Sequence, residues 1–183
     1  MKRILIVGLL TLLVIDLSAR EPEPAFPDSV EIDALKLTKR GEYRYVYRFF
    51  FQLYDVALYT SEIASTADIL AAETDFRLQF RYLREIEKSI ILKSADRMLE
   101  KNLSEAELQQ IADRVDQINA AYTTVRDGDR SSLTFQRDNG TTLRINGEPV
   151  VTIEGDDFAR LYFQIWLGKQ PISPSLRDAL LGE

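Results

Sequence analysis

Arginine and tyrosine recur through one short stretch of the chain, Tyr43-Arg44-Tyr45-Val46-Tyr47-Arg48-Phe49-Phe50-Phe51-Gln52-Leu53-Tyr54. Read at a period of two, it sets Arg44, Val46, Arg48, Phe50, Gln52 and Tyr54 on one side of a strand. Tyr43, Tyr45, Tyr47, Phe49, Phe51 and Leu53 fall on the other side, which reads as a core face. The first side mixes guanidinium, phenol and apolar surface, so it could line a cavity. A guanidinium supplies charge and a fork of donors, and a phenol adds a directed hydrogen bond, so together they can hold an anion or steady a developing oxyanion. The bland alternative is a solvated sheet face.

Other chemistry is excluded by composition. Histidine and cysteine are both absent from the 183 residues. That removes Ser-His-Asp and Cys-His nucleophiles, histidine zinc sites and thiol redox centres, leaving Arg, Lys, Tyr, Asp, Glu and hydroxyls for any catalysis. No P-loop or GxGxxG run is present. Asp127-Gly128-Asp129 and Gly155-Asp156-Asp157 lack the ligand spacing of a calcium loop, and Asp156 or Asp157 is expected to cap a helix instead. No cofactor and no metal are expected.

Net charge is −6, with no long basic stripe, which makes nucleic acid an unsuitable partner. Met1 to Ala19 carries Lys2 and Arg3, an apolar run from Ile4 to Ile15, then Leu17-Ser18-Ala19. This is the layout of a secretory signal peptide cut after Ala19, implying a periplasmic or secreted protein. The run is short of the roughly 20 apolar residues a spanning helix needs, so no membrane span is expected after cleavage. An uncleaved N-terminal anchor is the alternative. Removing Lys2, Arg3 and Asp16 with the leader would take the charge from −6 to −7. Arg20 to Ser29, with three prolines among acids, reads as a tether, and residues 30–183 as one domain.

The elements that must position the arginines and tyrosines follow from periodicity. Val30 to Tyr59 alternates as strand, with Lys39-Arg40-Gly41 marking a turn, and Phe76 to Leu83 is a second strand. A helix is expected from Glu87 to Lys101. Ser104 and Glu107 form a capping-box spacing, opening a helix with Leu108, Ile111, Ala112, Val115, Ile118 and Tyr122 on one face. Ser132–Gln136, Thr141–Ile145 and Glu148–Ile153 read as an antiparallel meander, with Asn146-Gly147 as a hairpin turn. Phe158, Leu161, Tyr162, Ile165 and Trp166 form a helical face stopped at Gly168, and Ser173-Pro174 opens a last helix closed by Gly182. The class is α+β: an antiparallel sheet covered on one face by a layer of helices.

The Leu-Tyr-Asp-Val-Ala-Leu-Tyr run at 53–59, the Asn-Gly hairpin, the Gly155 to Phe158 entry and the Ile-Trp-Leu-Gly to Ser-Pro ending stand in the order seen in one family. On these motifs the chain resembles the chalcone isomerase-like family, in particular its secreted bacterial branch. The resemblance implies the chalcone isomerase fold. It also implies a substrate-positioning arginine near the start of the long strand, for which Arg44 is the best match and Arg40 and Arg48 compete. Two threonines of the plant enzymes fall at Tyr54 and Ile165. Their tyrosine and asparagine would fall within 89–102, where no tyrosine occurs and Asn102 lies at the very end. Flavanone-forming activity is therefore not expected.

With the family's fatty-acid-binding relatives in view, the first expectation is non-catalytic binding of a hydrophobic or fatty-acid-like carboxylate between sheet and helices. Arg44 or Arg48 would pair with the carboxylate, Tyr54 would hydrogen-bond it, and Val46 and Phe50 would line its chain. The alternatives are an isomerase or intramolecular lyase acting on another enone or enolate, and an envelope interaction module presenting Tyr43, Tyr45 and Tyr47 to a protein partner.

Overall fold

The computed structural model describes residues 26–32, 35–61 and 63–183. Met1 to Ala19, and the tether as far as Ala25, lie outside the described residues.

Among the described residues seven strands pair antiparallel in chain order, a meander: β1 Ser29–Ile32, β2 Leu35–Tyr47, β3 Phe51–Thr60, β4 Phe76–Tyr82, β5 Arg130–Gln136, β6 Gly140–Ile145 and β7 Glu148–Ile153. The helices are α1 Thr66–Ala71, α2 Lys88–Asn102, α3 Glu105–Ala121, α4 Asp156–Tyr162, α5 Gln164–Leu167 and α6 Pro174–Leu181. β4 shows why the sheet forms as it does: Phe76, Leu78, Phe80 and Tyr82 are buried, while Arg77, Gln79 and Arg81 between them are not fully so. The buried set joins Val56 and Leu58 of β3, Leu133 and Phe135 of β5 and the apolar faces of the helices in one core. On the opposite face a smaller cluster of Phe26, Ile32, Leu37, Ala57 and Tyr59 closes over β2 and β3. The α+β class with helices on one face is thus the observed one.

Several local expectations change. Phe26 is buried, and Pro27 accepts a hydrogen bond from the Tyr59 hydroxyl (2.9 Å), so the last part of the tether packs onto the sheet. Gly41 does not turn the chain; it sits at an irregularity inside β2. Its hydrogen is needed there because α6 lies against it, and a Cβ would collide with the Ala179 carbonyl. Gly155, with φ 99°, is the N-cap of α4 in place of Asp156 or Asp157. The Asp157 carboxylate instead accepts two bonds from the Arg114 guanidinium (2.8 and 2.7 Å), tying α3 to α4. Asp127-Gly128-Asp129 is turn chemistry, since Asp129 accepts from the Arg126 amide (2.7 Å) and from Asn146 Nδ2 (3.1 Å).

The largest departure lies in the arginine- and tyrosine-rich stretch. It is two strands rather than one, because the chain reverses at 48–50 and pairs Tyr47 with Phe51. Arg48 and Phe49 take up left-handed backbone, φ 47° and 64°. A second irregularity pairs Tyr45 with Tyr54 but Val46 with Gln52, leaving Leu53 as an extra residue. Both features break the alternation that would have put six residues on one side.

Candidate functional site

The reversal distributes the five expected ligand residues over three places. Arg44 lies on the sheet face away from the helices and grips Asp55 with two bonds, Nε to Oδ1 at 2.6 Å and Nη2 to Oδ2 at 3.0 Å. The Asp55 side chain is 10% exposed and that of Arg44 52%. The carboxylate raises the Arg44 guanidinium's pKa further, so this cation is already matched by an internal anion. Val46 shares the open part of β2 with Arg44, while Arg48 and Phe50 stand at the hairpin turn. Tyr54 alone enters the core. Asp55, which decides the fate of Arg44, was not singled out in the sequence because a strand pairing had to be known first. Arg40 is also engaged, its three nitrogens bonded to Leu181 O, Ala64 O and Thr66 Oγ1 (2.9, 2.7 and 2.8 Å), stapling α6 and the start of α1 to β2.

Between sheet and helices the space is occupied by aromatic rings. Tyr54 meets Tyr45, Phe80 and Tyr82 at centroid separations of 5.2, 5.4 and 6.3 Å. Phe80 continues to Trp166 (5.5 Å), and Trp166 to Tyr162 (6.1 Å). Four phenols are buried in this layer. Tyr82 shares a hydrogen bond with Ser131 Oγ (2.9 Å), whereas the Tyr54 hydroxyl is buried with no acceptor, the Trp166 indole being the one side-chain donor acting on it. Burial raises the pKa of Tyr54, Tyr122 and Tyr162 well above the ordinary phenol value and pushes Tyr82 up to about 12. No arginine is among the groups acting on them. They are neutral donors, not acids or bases poised for proton transfer near neutral pH. Ile165 is buried, and Asn102 holds the end of α2 to the loop after α5 through Met98 O, Gln170 O and the Gln170 amide (2.8, 2.9 and 2.8 Å). Tyr43 and Tyr45 pack against the core and only Tyr47 of the three is open, so the ladder is not a free surface.

Over β4 to β7 the outer sheet face is polar. Arg77 Nη2 donates to Ser132 Oγ (2.7 Å) and its Nε is buried without a partner. Burial and then nearby Arg144 lower its guanidinium's pKa. With Gln79, Thr134, Thr142 and Thr152 on the same register rows, this face suits a small polar anion better than an apolar chain.

An apolar hollow exists elsewhere. It measures about 310 Å³ and lies among α1, α4, α5 and α6, with Ile69, Leu70, Phe163 and Leu167 forming its walls. Arg160, Lys169 and Arg177 stand around it, and none of its lining residues is acidic. Arg177 is held by Leu167 O (3.2 Å) and Glu183 (2.8 Å), and Arg160 lies 4.0 Å from Glu107. Lys169, by contrast, has no ion-pair partner among the described residues. Sequence reading missed the hollow because its lining comes from three separated segments, one of them the unforeseen α1, which Ser65 and Asp68 open with a capping box. A second hollow, about 240 Å³, lies between α2 and α3 with Asp96, Glu100 and Asp116 at its edge. Among the described residues no helix is long and apolar enough to cross a membrane.

A family model described as chalcone isomerase-like matches residues 23–182. The chain belongs to the chalcone isomerase-like family. Among solved structures it is similar to a fatty-acid binding protein of Arabidopsis thaliana, with a TM-score of 0.65 and 12% identity over 85% of this chain and 90% of that one. At that identity the likeness shows the fold. No curated protein sequence matches. Within this chalcone isomerase-like chain Arg44 is paired with Asp55 on the sheet face opposite Tyr54.

Proposed function

We propose that this protein is a non-catalytic binder of an amphipathic, fatty-acid-like carboxylate, held in the hollow among α1, α4, α5 and α6. The observation carrying this reading is the lining: apolar walls, three surrounding cations and no carboxylate. Its volume of about 310 Å³ sits at the lower end of the roughly 300–1,000 Å³ typical of ligand pockets. An aliphatic chain would bury against Ile69, Leu70, Phe163 and Leu167, and its carboxylate would meet Lys169, the cation with no internal partner. The fatty-acid binding named for the similar plant structure makes this ligand class the first to test. Arg44 and the phenols do not support a catalytic reading, since Arg44 is matched by Asp55 and the phenols are buried and neutral. Secretion to the periplasm, expected from Met1 to Ala19, is part of the proposal.

Displacement of a fluorescent fatty-acid analogue by dodecanoate in detergent-free buffer tests it. Lys169→Glu and Leu70→Asp should each weaken binding by about tenfold or more, as loss of a charge pair and of apolar contact imply, whereas Arg44→Ala should leave affinity unchanged. Absence of uptake, or equal affinity in wild type and both hollow variants, defeats the assignment.

A further inference from the structure

The hairpin turn between β2 and β3 carries the most exposed apolar surface of the described chain. Phe49 is 93% exposed, Phe50 84%, Phe51 46%, Tyr47 45% and Val46 37%, all within six consecutive residues. The other exposed large apolar residues, Ile63, Ile90 and Val150, are single positions in the sequence. From Tyr43 to Tyr54 there is no acidic residue, in a chain whose net charge is −6. Two arginines frame the aromatic tip: Arg48 lies over the Tyr47 ring (5.3 Å to its centroid) and Arg84 over the Phe51 ring (5.0 Å).

The backbone adds an independent sign. Arg48 and Phe49 both occupy the left-handed region, which penalises a side chain. The same molecule uses the unstrained solution elsewhere, at Asn146-Gly147, with φ 51° and 90°. Strain and full solvent exposure of two phenylalanines coincide at one turn, and nothing inside the fold gains from either.

Phe49 and Phe50 stand almost wholly in solvent at a chain reversal flanked by two arginines and by no acid, a combination of apolar tip and positive rim. A surrounding apolar medium would cover the tip. Arginines stacked on the flanking rings would extend their guanidinium groups to phosphate level, as amphipathic side chains do at bilayer interfaces. We propose that this tip docks on an anionic lipid bilayer, with Phe49 and Phe50 entering the interfacial region and Arg48 and Arg84 meeting the lipid phosphates. The inference does not depend on the ligand reading, which is measured without vesicles.

Flotation of the full chain with vesicles of equal parts phosphatidylglycerol and phosphatidylcholine tests it, set against pure phosphatidylcholine. The wild type should partition more strongly onto the anionic vesicles, and salt should weaken the difference. Phe49→Ser with Phe50→Ser should lower the partition coefficient by about tenfold or more, and Arg48→Glu should remove the preference for anionic lipid. All three positions are solvent-exposed, so these variants should stay folded, with melting temperatures within about 4 °C of wild type. In a Phe50→Trp variant the indole emission should shift to the blue on adding anionic vesicles, a readout specific to the tip. Vesicle binding unaltered by the double substitution, or no blue shift at position 50, overturns the proposal. Wild type inert to vesicles but crosslinked through position 50 to a protein overturns it in favour of a protein partner.

Discussion

Arg44 and Tyr54 stand on opposite faces of one hairpin. Arg44 pairs in register with Asp55 on β3, and Tyr54, one residue before Asp55, pairs with Tyr45 and turns its ring into the core. A guanidinium and a phenol that a single extended strand would have aimed at the same ligand are separated by the thickness of the sheet. Arg44→Ala should therefore register as a folding variant. It strands a nearly buried Asp55 carboxylate, and the loss should be about 1 kcal/mol once solvent screening of the half-exposed guanidinium is allowed for. Urea unfolding of Arg44→Ala, Asp55→Asn and the double variant measures it. A coupling energy near zero would mean that the pair is ornamental.

Tyr54 offers the opposite expectation. Its hydroxyl is buried with no acceptor, and the Trp166 indole is the one side-chain donor acting on it, so most of its desolvation cost is not offset. Tyr54→Phe keeps the ring contacts with Tyr45, Phe80 and Tyr82 and removes only the oxygen. Stability should be unchanged or higher by up to about 1 kcal/mol, and fatty-acid displacement should not move. If stability fell by more than that, the hydroxyl would have to be bonded in solution, and the core would be wet at this point.

The buried phenols also fix behaviour in alkali. Tyr82 ionises at about 12 in the folded protein, against an ordinary value of 10.0, and burial is the main cause. A raised pKa favours the folded state while the phenol is neutral. The contribution is fully present below pH ~10 and is lost as pH climbs through 10 towards 12, where the unfolded chain gives up its proton first. Tyr54, Tyr122 and Tyr162 act with the same sign. Denaturant midpoints should fall steeply over this interval, and part of the tyrosinate absorbance should appear only with unfolding. Complete titration of all tyrosines with the fold intact would show that the aromatic layer opens readily.

The same stretch shows what a sequence displays and what it hides. Capping residues, hairpin glycines and helical stripes act through neighbours a few positions away, so Ser104 with Glu107, Asn146-Gly147 and Ser173-Pro174 stand in the structure where their types place them. The order of elements from β4 onward followed from those signals. Arg48-Phe49-Phe50 carries no glycine, proline, asparagine or aspartate, and its alternation passes unbroken through a reversal. With the reversal unseen, every inference about which side chains share a face failed downstream of it, Arg44 and Tyr54 included. The hollow was equally hidden, because no spacing within one element encodes a meeting of α1, α4, α5 and α6.

That hidden turn gives the most demanding prediction. Replacing Arg48 by Asn and Phe49 by Gly supplies the residues that left-handed backbone favours, in the pattern the chain already uses at Asn146-Gly147. Phe49 is almost wholly exposed and packs against nothing that the replacement would empty. The stacking of Arg48 on Tyr47 is lost, at a cost of about 0.5–1 kcal/mol for an exposed pair. Relief of two strained residues, each of order 1–3 kcal/mol, outweighs it. The double variant should unfold at higher denaturant with an unchanged slope, a net gain of about 1 kcal/mol or more, and should lose its attachment to anionic vesicles at the same time. A more stable protein that no longer docks would mean that this turn gives up folding energy for its surface role. Equal or lower stability would instead mean that the left-handed residues are unstrained where they stand, and the surface role would then rest on exposure and charge alone.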